Sequence, residues 1–408
     1  MKDKRRQVRS QSGRLTGRGA DVMVLAAALS LSACDDDKLM RPQPVGGPLF
    51  ARVVAIGNSI TAGFQSGGMN DSTQRQSYAA LVAEALGTAF DIPLLDRPGC
   101  PPPIVNVFTE ERVGGGGGGD CALRTRPIPV ELNNVAVPGA AVIDVLTNFD
   151  EASDPNPLTT ILLGGRSQLQ AAAEVEPTFA MVWIGNNDVL GAALQGDTGG
   201  VTPLAEFDAR YRTMADSLSD LGLEGAVLVA VVDVTLIPHL SPGAAYWQAE
   251  QMGQLPPTFD VAANCSPLDP SGSALVPFSY GFGELFARAS EGEPVTLDCV
   301  NDARLLTAQE IAAVQAAVNS YNETIADLAD QNGWAFYDPN PEFQARKEQG
   351  EVPLFPNVPP DPDAVAHPFG ELFSKDGVHP SALAHEILAD RIIDAINERY
   401  GTAIPLSD

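Results

Sequence analysis

Histidine is scarce in this chain. There are four in 408 residues: His239, His367, His379 and His385. Cysteine is nearly as rare, with five residues and no Cys-x-x-Cys pair, so neither a zinc ribbon nor a dithiol redox motif is present. No His cluster suggests a metal site, and nothing in the chain calls for a cofactor. Basic residues are few. Lys plus Arg number 25 against 52 Asp plus Glu, for a net charge of −27. Such a surface repels phosphate backbones and excludes general nucleic-acid binding. No apolar run reaches the ~18 residues of a membrane span. Charged residues are only 19% of the chain and hydrophobic ones 44%, which excludes a disordered protein. The length suits about two to three average domains, or one α/β domain carrying insertions.

The charge is not evenly spread. Seven of the basic residues, against two Asp, lie in residues 1–33. This basic stretch precedes an apolar run at 22–31, and Leu31-Ser32-Ala33-Cys34 follows. The layout is that of an export signal with small residues before the cut. Leu-Ser-Ala-Cys also resembles the lipobox of bacterial lipoproteins. The resemblance implies that Cys34 is lipidated and becomes the new N-terminus. It implies an exported, membrane-anchored lipoprotein facing the periplasm or the cell exterior. An ordinary secretory signal with an incidental Cys is the plainer alternative. Residues 34–49, with Asp35-Asp36-Asp37 and Pro42-Gln43-Pro44, read as a tether. Cys100, Cys121, Cys265 and Cys299 then form an even set. An oxidising compartment permits disulfides, and three connectivities are possible. Sequential pairing is expected, 100 with 121 and 265 with 299, each stapling one local insertion. Four free buried thiols are the alternative.

The body, residues 50–400, alternates strands with helices. Apolar runs at 52–56, 134–137, 179–184, 226–232 and 334–337 read as parallel strands buried on both faces. A helix over 74–86 ends at Gly87. Thr202 is expected to cap a helix with Pro203 at its first position. Thr307-Ala308-Gln309-Glu310 is a capping box. It opens a helix with one apolar stripe through Ile311, Val314, Val318, Tyr321, Ile325 and Leu328. A last helix starts near Ser381. The rhythm predicts an α/β fold with five parallel strands and helices on both faces. Two stretches break it. Residues 91–130 hold Pro101-Pro102-Pro103 and six consecutive glycines, Gly114 to Gly119, suited to a mobile loop. No Lys-Ser/Thr follows, so this is not a phosphate loop. Residues 238–300 are rich in Pro, Gly, Ser and aromatics. Both read as insertions in one domain. The second is open to two readings, an acyl pocket or lid, or a self-packed excursion.

Ligands bind at the carboxyl ends of strands in an open parallel sheet. Those ends carry Gly57-Asn58-Ser59-Ile60-Thr61, then Pro138-Gly139-Ala140, then Gly185-Asn186-Asn187-Asp188. Asp376-Gly377-Val378-His379 precedes the last helix. A hydroxyl, a glycine amide, a carboxamide and an Asp/His pair on one rim are the parts of nucleophilic acyl transfer. Ser59 would attack, His379 act as base and Asp376 orient it. The Ser59 and Gly139 amides and the Asn187 side chain would form the oxyanion hole. Singly, each residue is more often a cap, a turn or a structural side chain. Their ordered occurrence is what points to a site. His239 and His367 read as structural, and His385 as a helix-surface residue.

The four blocks resemble those of the SGNH/GDSL hydrolases. Gly57 to Thr61 is similar to the first, Asn134 to Ala140 to the second, Gly185-Asn186-Asn187-Asp188 to the third, and Asp376 with His379 to the last. The resemblance implies a three-layer, flavodoxin-like SGNH-hydrolase fold. It implies a Ser-His-Asp carboxylic ester hydrolase, an esterase or lipase working through an acyl-enzyme without metal or cofactor. Its substrate would be a small ester or a lipid. A carbohydrate O-acetyl esterase on the same site, or a non-catalytic ligand-binding lipoprotein, are the rival readings. The chain departs from the pattern at Asn58, where the family has Asp, and at Ile60, where it has Leu.

Overall fold

Val53, Val54, Ala55 and Ile56 are all fully buried. Their side chains alternate between two separate apolar clusters, one on each face of the sheet. The structure, a computed structural model, describes residues 44–147 and 156–406. The expected signal segment, the lipid site at Cys34 and most of the tether lie outside the described residues. Already at Val45 the chain is docked, its N–H on the Leu86 carbonyl, and Phe50 is fully buried.

Four parallel strands form the sheet in the order β1 (Val53–Gly57), β2 (Phe179–Trp183), β3 (Gly225–Val229) and β4 (Ala335–Tyr337). Val54, Ile56, Ala180, Val182, Ala226 and Leu228 face one cluster. It is completed by helices Leu204–Asp220 and Ala308–Asn332, through Phe207, Tyr211, Val318 and Tyr321. Val53, Ala55, Phe179, Met181 and Val227 face the other, packed by helices Tyr78–Leu86 and Ala382–Tyr400. The fold is thus α/β, with a parallel sheet between helical layers.

The strand expected at 134–137 does not become a regular fifth member. It follows the free edge of β1, as the second strand of a flavodoxin-like order would. Ala55 N–H donates to Asn133 O and accepts from Val135 N–H at its carbonyl. At the next rung the ladder is interrupted. The Gln168 carboxamide accepts Gly57 N–H at 2.9 Å in place of the strand's carbonyl, and donates at 2.9 Å to the Gly57 carbonyl, which also accepts Val137 N–H at 3.2 Å. Asn134 also turns inward, accepting from Ala136 N–H and donating to Thr61 O. Four strands therefore stand where five were expected.

Two helix boundaries also differ from expectation. The segment 74–86 is broken into Asp71–Arg75 and Tyr78–Leu86, because Ser77 caps the second helix through Ala80 N–H. Pro203, not Thr202, holds the cap position of Leu204–Asp220. Thr202 instead accepts the Tyr321 hydroxyl at its carbonyl. Thr307 and Glu310 form the capping box, and Ser381 caps the last helix through Ala384 N–H.

Cys100 is bonded to Cys121, and Cys265 to Cys299. Residues 238–300 build their own small core. Strand pairs Leu240–Pro242/Leu275–Pro277 and Phe259–Val261/Val295–Leu297 enclose Tyr246, Phe259, Phe278 and Phe282. Phe278 stacks on Phe282 at 5.0 Å, and Phe355 meets Tyr246 edge-on at 5.0 Å. The aromatic side chains of this insertion pack on one another and on Phe108, Phe355 and Phe369. Among the described residues no helix is long and apolar enough to cross a membrane.

Candidate active site

The turn after β1 carries Ser59 as the first residue of a four-residue helix, α1 (Ser59–Ala62). Asn58 caps it, its Oδ1 accepting from Ile60 N–H at 3.0 Å. So the residue standing where Asp was expected does the cap's work with the carboxamide oxygen. Gly63 ends the helix in the left-handed region, φ +80°. One short turn, clamped at both ends, thus fixes Ser59 at the sheet rim.

Ser59 Oγ lies 2.9 Å from His379 Nε2, and His379 Nδ1 lies 2.8 Å from Asp376 Oδ2. The two side chains are mostly buried, 13% and 12% exposed. Asp376 is held from several sides. Its Oδ1 accepts Val378 N–H at 2.9 Å, His379 N–H at 2.9 Å and the Ser374 hydroxyl at 3.1 Å. Its Oδ2 also accepts Gly67 N–H at 2.6 Å. Burial alone would raise this carboxyl, but the His379 imidazole and the backbone donors overcome it and hold it well below the usual range. An ionised, fully engaged Asp376 keeps the His379 proton on Nδ1, which leaves Nε2 free to accept. Phe64 packs against the imidazole with ring centres 5.0 Å apart.

Asn187 is the first residue of helix Asn187–Gln195. Gly185 before it sits at φ +114°, where an added Cβ would come within 2.7 Å of Val231. Asn187 Nδ2 donates to Ala140 O at 2.8 Å, which leaves its second hydrogen for another acceptor. The neighbouring Asp188 accepts Val142 N–H at 3.0 Å, so two consecutive side chains tie down the 140–142 loop. Burial raises the Asp188 carboxyl to about 6. Gly139, φ +85°, is exposed on the same loop.

A cavity of about 130 Å³ opens against Ser59, His379 and Asn187. Ile60, Leu190, Ile237, Phe343, Phe373, Ile387 and Leu388 supply much of its wall, with Glu342 and Arg346 also lining it. Gly139 is not among its lining residues, and neither is any residue of 238–300. The reading of that insertion as an acyl pocket or lid therefore gives way to self-packing. The apolar wall comes instead from several segments, among them Ile60 after β1, Leu190 and the helices Asn340–Glu348 and Ala382–Tyr400.

Three histidines lie around the site. His239 donates from Nδ1 to Asp376 O at 2.8 Å, and its own N–H donates to Gly377 O, bracing the turn that carries the aspartate. His367 is exposed. His385 corrects the expectation of a surface residue, being fully buried and accepting Tyr78 N–H at Nδ1. Burial pushes it down to about 3, so it stays neutral. Its position on the last helix turns it toward the broken helix at Ser77. Sequence reasoning also missed Ser66, Gly67, Ser374 and Gln168. Ser66, Gly67 and Gln168 act across long stretches of sequence, where local pattern carries no signal; Ser374 joins both ranges, reaching Asp376 from two residues away and Ser66 N–H from 308. Among the described residues no group of His, Cys, Asp and Glu comes together to hold a metal ion.

A family model described as GDSL-like Lipase/Acylhydrolase matches residues 53–392. No curated protein matches. Solved structures with a similar course include Axe2, an acetylxylan esterase from Geobacillus stearothermophilus, at 13% identity and a TM-score of 0.37, covering 87% of this chain and 96% of that one. The acetyl xylan esterase AlAXEase is similar at 15% identity and a TM-score of 0.36, covering 84% of this chain and 100% of that one. Likenesses this loose carry no argument about substrate.

Proposed function

The chain belongs to the GDSL/SGNH family of serine ester hydrolases, and from that premise we propose that Ser59, His379 and Asp376 hydrolyse a carboxylic ester through an acyl-enzyme. The observation that carries this reading is the continuous relay of 2.9 Å and 2.8 Å from the Ser59 hydroxyl through His379 to Asp376. Ser59 Oγ attacks the ester carbonyl as its proton passes to His379 Nε2. The carbonyl electrons move onto oxygen. The Ser59 and Gly139 amides and the free Asn187 Nδ2–H stabilise that charge. The intermediate collapses, His379 returns the proton to the leaving alkoxide, and the alcohol departs. Water, deprotonated by the same imidazole, then releases the acid and restores Ser59.

The cavity favours an acyl group larger than acetyl. A single water needs about 10–15 Å³ on this measure, and the cavity has about 130 Å³ against Ser59. Each methylene buried there is worth about 0.8 kcal/mol, or about fourfold in kcat/KM. We therefore read the enzyme as an esterase or lipase for acyl chains of several carbons rather than a deacetylase. Export and lipid attachment at Cys34 belong to the same proposal and rest on the sequence of residues 1–34. On that reading the domain spans residues 50–400, with insertions at about 91–130 and 238–300.

Hydrolysis of p-nitrophenyl esters from acetyl to palmitoyl, with Ser59→Ala alongside, tests the reading. Activity that rises beyond acetyl and vanishes in the folded mutant is expected. A mutant with normal turnover overturns the nucleophile, and an acetyl-only profile turns the assignment to deacetylation. An inert wild type that an organophosphonate fails to label at Ser59 leaves the binding-protein reading.

A further inference from the structure

Among the described residues, Gly67 is the one donor to Asp376 that comes from outside the 374–379 loop. Its N–H reaches Asp376 Oδ2 at 2.6 Å, the same oxygen that accepts His379 Nδ1–H. The bend at Gly67 is closed locally by Gln65 and Gly68, whose backbones exchange hydrogen bonds at 2.8 Å and 3.2 Å, but that pair does not fix where the bend stands against Asp376. The segment bends through the left-handed region twice, at Ser66 (φ +55°) and Gly67 (φ +62°). For Ser66 that conformation is unfavourable and persists only if neighbours impose it.

The neighbours are Ser374, whose Oγ accepts Ser66 N–H at 2.8 Å, and the insertion closed by Cys100 and Cys121. Ile104 N–H donates to Ser66 O at 2.7 Å, and Met69 N–H to Pro101 O at 3.0 Å. Arg112 lies on the returning strand of a short hairpin, opposite Ile104. Its Nη1 donates to Gly67 O at 2.8 Å and to Pro102 O at 2.7 Å, bridging the two segments with one permanently charged group. The insertion also touches the aspartate's own loop. Lys375 Nζ donates to Val105 O at 2.9 Å, while Lys375 N–H donates to Ser66 Oγ.

We propose that Arg112 is a positioning residue for the reaction: carried on the disulfide-closed insertion, it anchors Gly67 so that the Gly67 amide holds Asp376 Oδ2 in line with His379. The inference rests on the reading of Ser59, His379 and Asp376 given above. Arg112 touches neither substrate nor the reacting atoms. It acts through one peptide unit, by fixing where a donor stands. Without it the 66–67 bend relaxes, Oδ2 loses a donor and shifts, and the imidazole follows. A displacement of about 1 Å at a reacting group costs about a hundredfold in rate. The acyl cavity is lined by neither Arg112 nor Gly67, so acyl binding is left alone.

The test uses the full chain and p-nitrophenyl butyrate, comparing wild type with Arg112→Ala, Arg112→Lys and Ser59→Ala. The expected result is a fall of about a hundredfold in kcat for Arg112→Ala with KM unchanged. Arg112→Lys, whose ammonium can donate to the same two carbonyls, recovers most of it. Added guanidinium at millimolar concentration partly rescues the alanine variant. The downfield proton resonance of the His379–Asp376 hydrogen bond is weakened in Arg112→Ala and restored in Arg112→Lys. Equal kcat in wild type and Arg112→Ala overturns the proposal, and so does a loss that appears in KM rather than kcat. If Arg112→Ala fails to fold, Arg112→Met, which keeps the stem and removes the donor, decides: a folded Arg112→Met with wild-type kcat and an intact resonance overturns the proposal, and a low kcat with a weakened resonance upholds it. An active Ser59→Ala instead defeats the underlying catalytic reading, whatever Arg112 does.

Discussion

Asp376→Asn separates what the carboxylate does for catalysis from what it does for the fold. Both carboxyl oxygens receive N–H donors. Oδ1 takes Val378 and His379 amides at 2.9 Å each, and Oδ2 takes Gly67 N–H at 2.6 Å and His379 Nδ1 at 2.8 Å. An asparagine has only one oxygen to offer, so either orientation sets an NH₂ against two donors. Each buried donor left without an acceptor costs about 1–3 kcal/mol; two are left with the NH₂ on the Oδ1 side and one on the Oδ2 side, where His379 turns acceptor, so the variant loses about 1–6 kcal/mol of stability. If the NH₂ faces His379, the imidazole accepts at Nδ1 and carries its proton on Nε2. It then cannot take the Ser59 proton, and kcat drops about 10⁴-fold. The pH sign follows from the depressed carboxyl. Its contribution to stability is complete above the ordinary value of 3.8 and is lost as pH falls below it. The mutant therefore loses this part of the acid sensitivity. Steady-state kinetics on p-nitrophenyl butyrate, with thermal melts at pH 7 and in acid, measure both effects. A folded Asp376→Asn enzyme within tenfold of wild-type kcat would refute the assigned role.

Asn187→Ala removes one oxyanion donor, and kcat is expected to fall about 100- to 1000-fold with little change in KM; a fall in KM-determined binding alone would count against that role. Ile387→Trp fills part of the cavity wall, so kcat/KM on octanoyl esters should fall by about tenfold or more while acetyl ester hydrolysis stays within twofold; parallel losses on both esters would place the acyl chain elsewhere. His385, pushed by burial from 6.5 to about 3, contributes stability that is complete above 6.5 and drains as pH falls toward 3. His385→Gln keeps an acceptor for Tyr78 N–H and removes the titration, so its urea midpoint should fall less than wild type between neutral pH and pH ~4. Asp188, raised to about 6, works in the opposite direction over part of that window. The readout is therefore the difference between the two proteins, and identical slopes would show that His385 does not titrate on unfolding.

Much of the site was legible because the chemistry of its parts is local. Ser59, Gly139 and Asn187 follow runs whose continuous apolarity marks buried parallel strands, and a strand's end is where a rim residue must stand. Asp376 and His379 share one turn, three residues apart, so a single loop brings carboxylate and imidazole together. Capping at Thr307 and Ser381 was readable for the same reason, since a cap bonds within three residues.

Everything that depended on a distant partner escaped. Gln168 enters the rung beside Gly57 from 111 residues away and turns an expected fifth strand into an interrupted one. His385 looks like a surface residue from its helix alone, yet it is buried against Tyr78, 307 residues earlier. The aromatics of 238–300 gave no sign whether they faced a ligand or one another, because composition sets how much apolar surface must be hidden and not against what. The sequence alone determined most of the secondary elements, the candidate site residues and their order, all carried by contacts within a few positions. The tertiary structure alone decided which donors hold Asp376, where the cavity against Ser59 lies and which insertion touches the site, because those contacts join segments that meet only when the sheet and its two helical layers have packed.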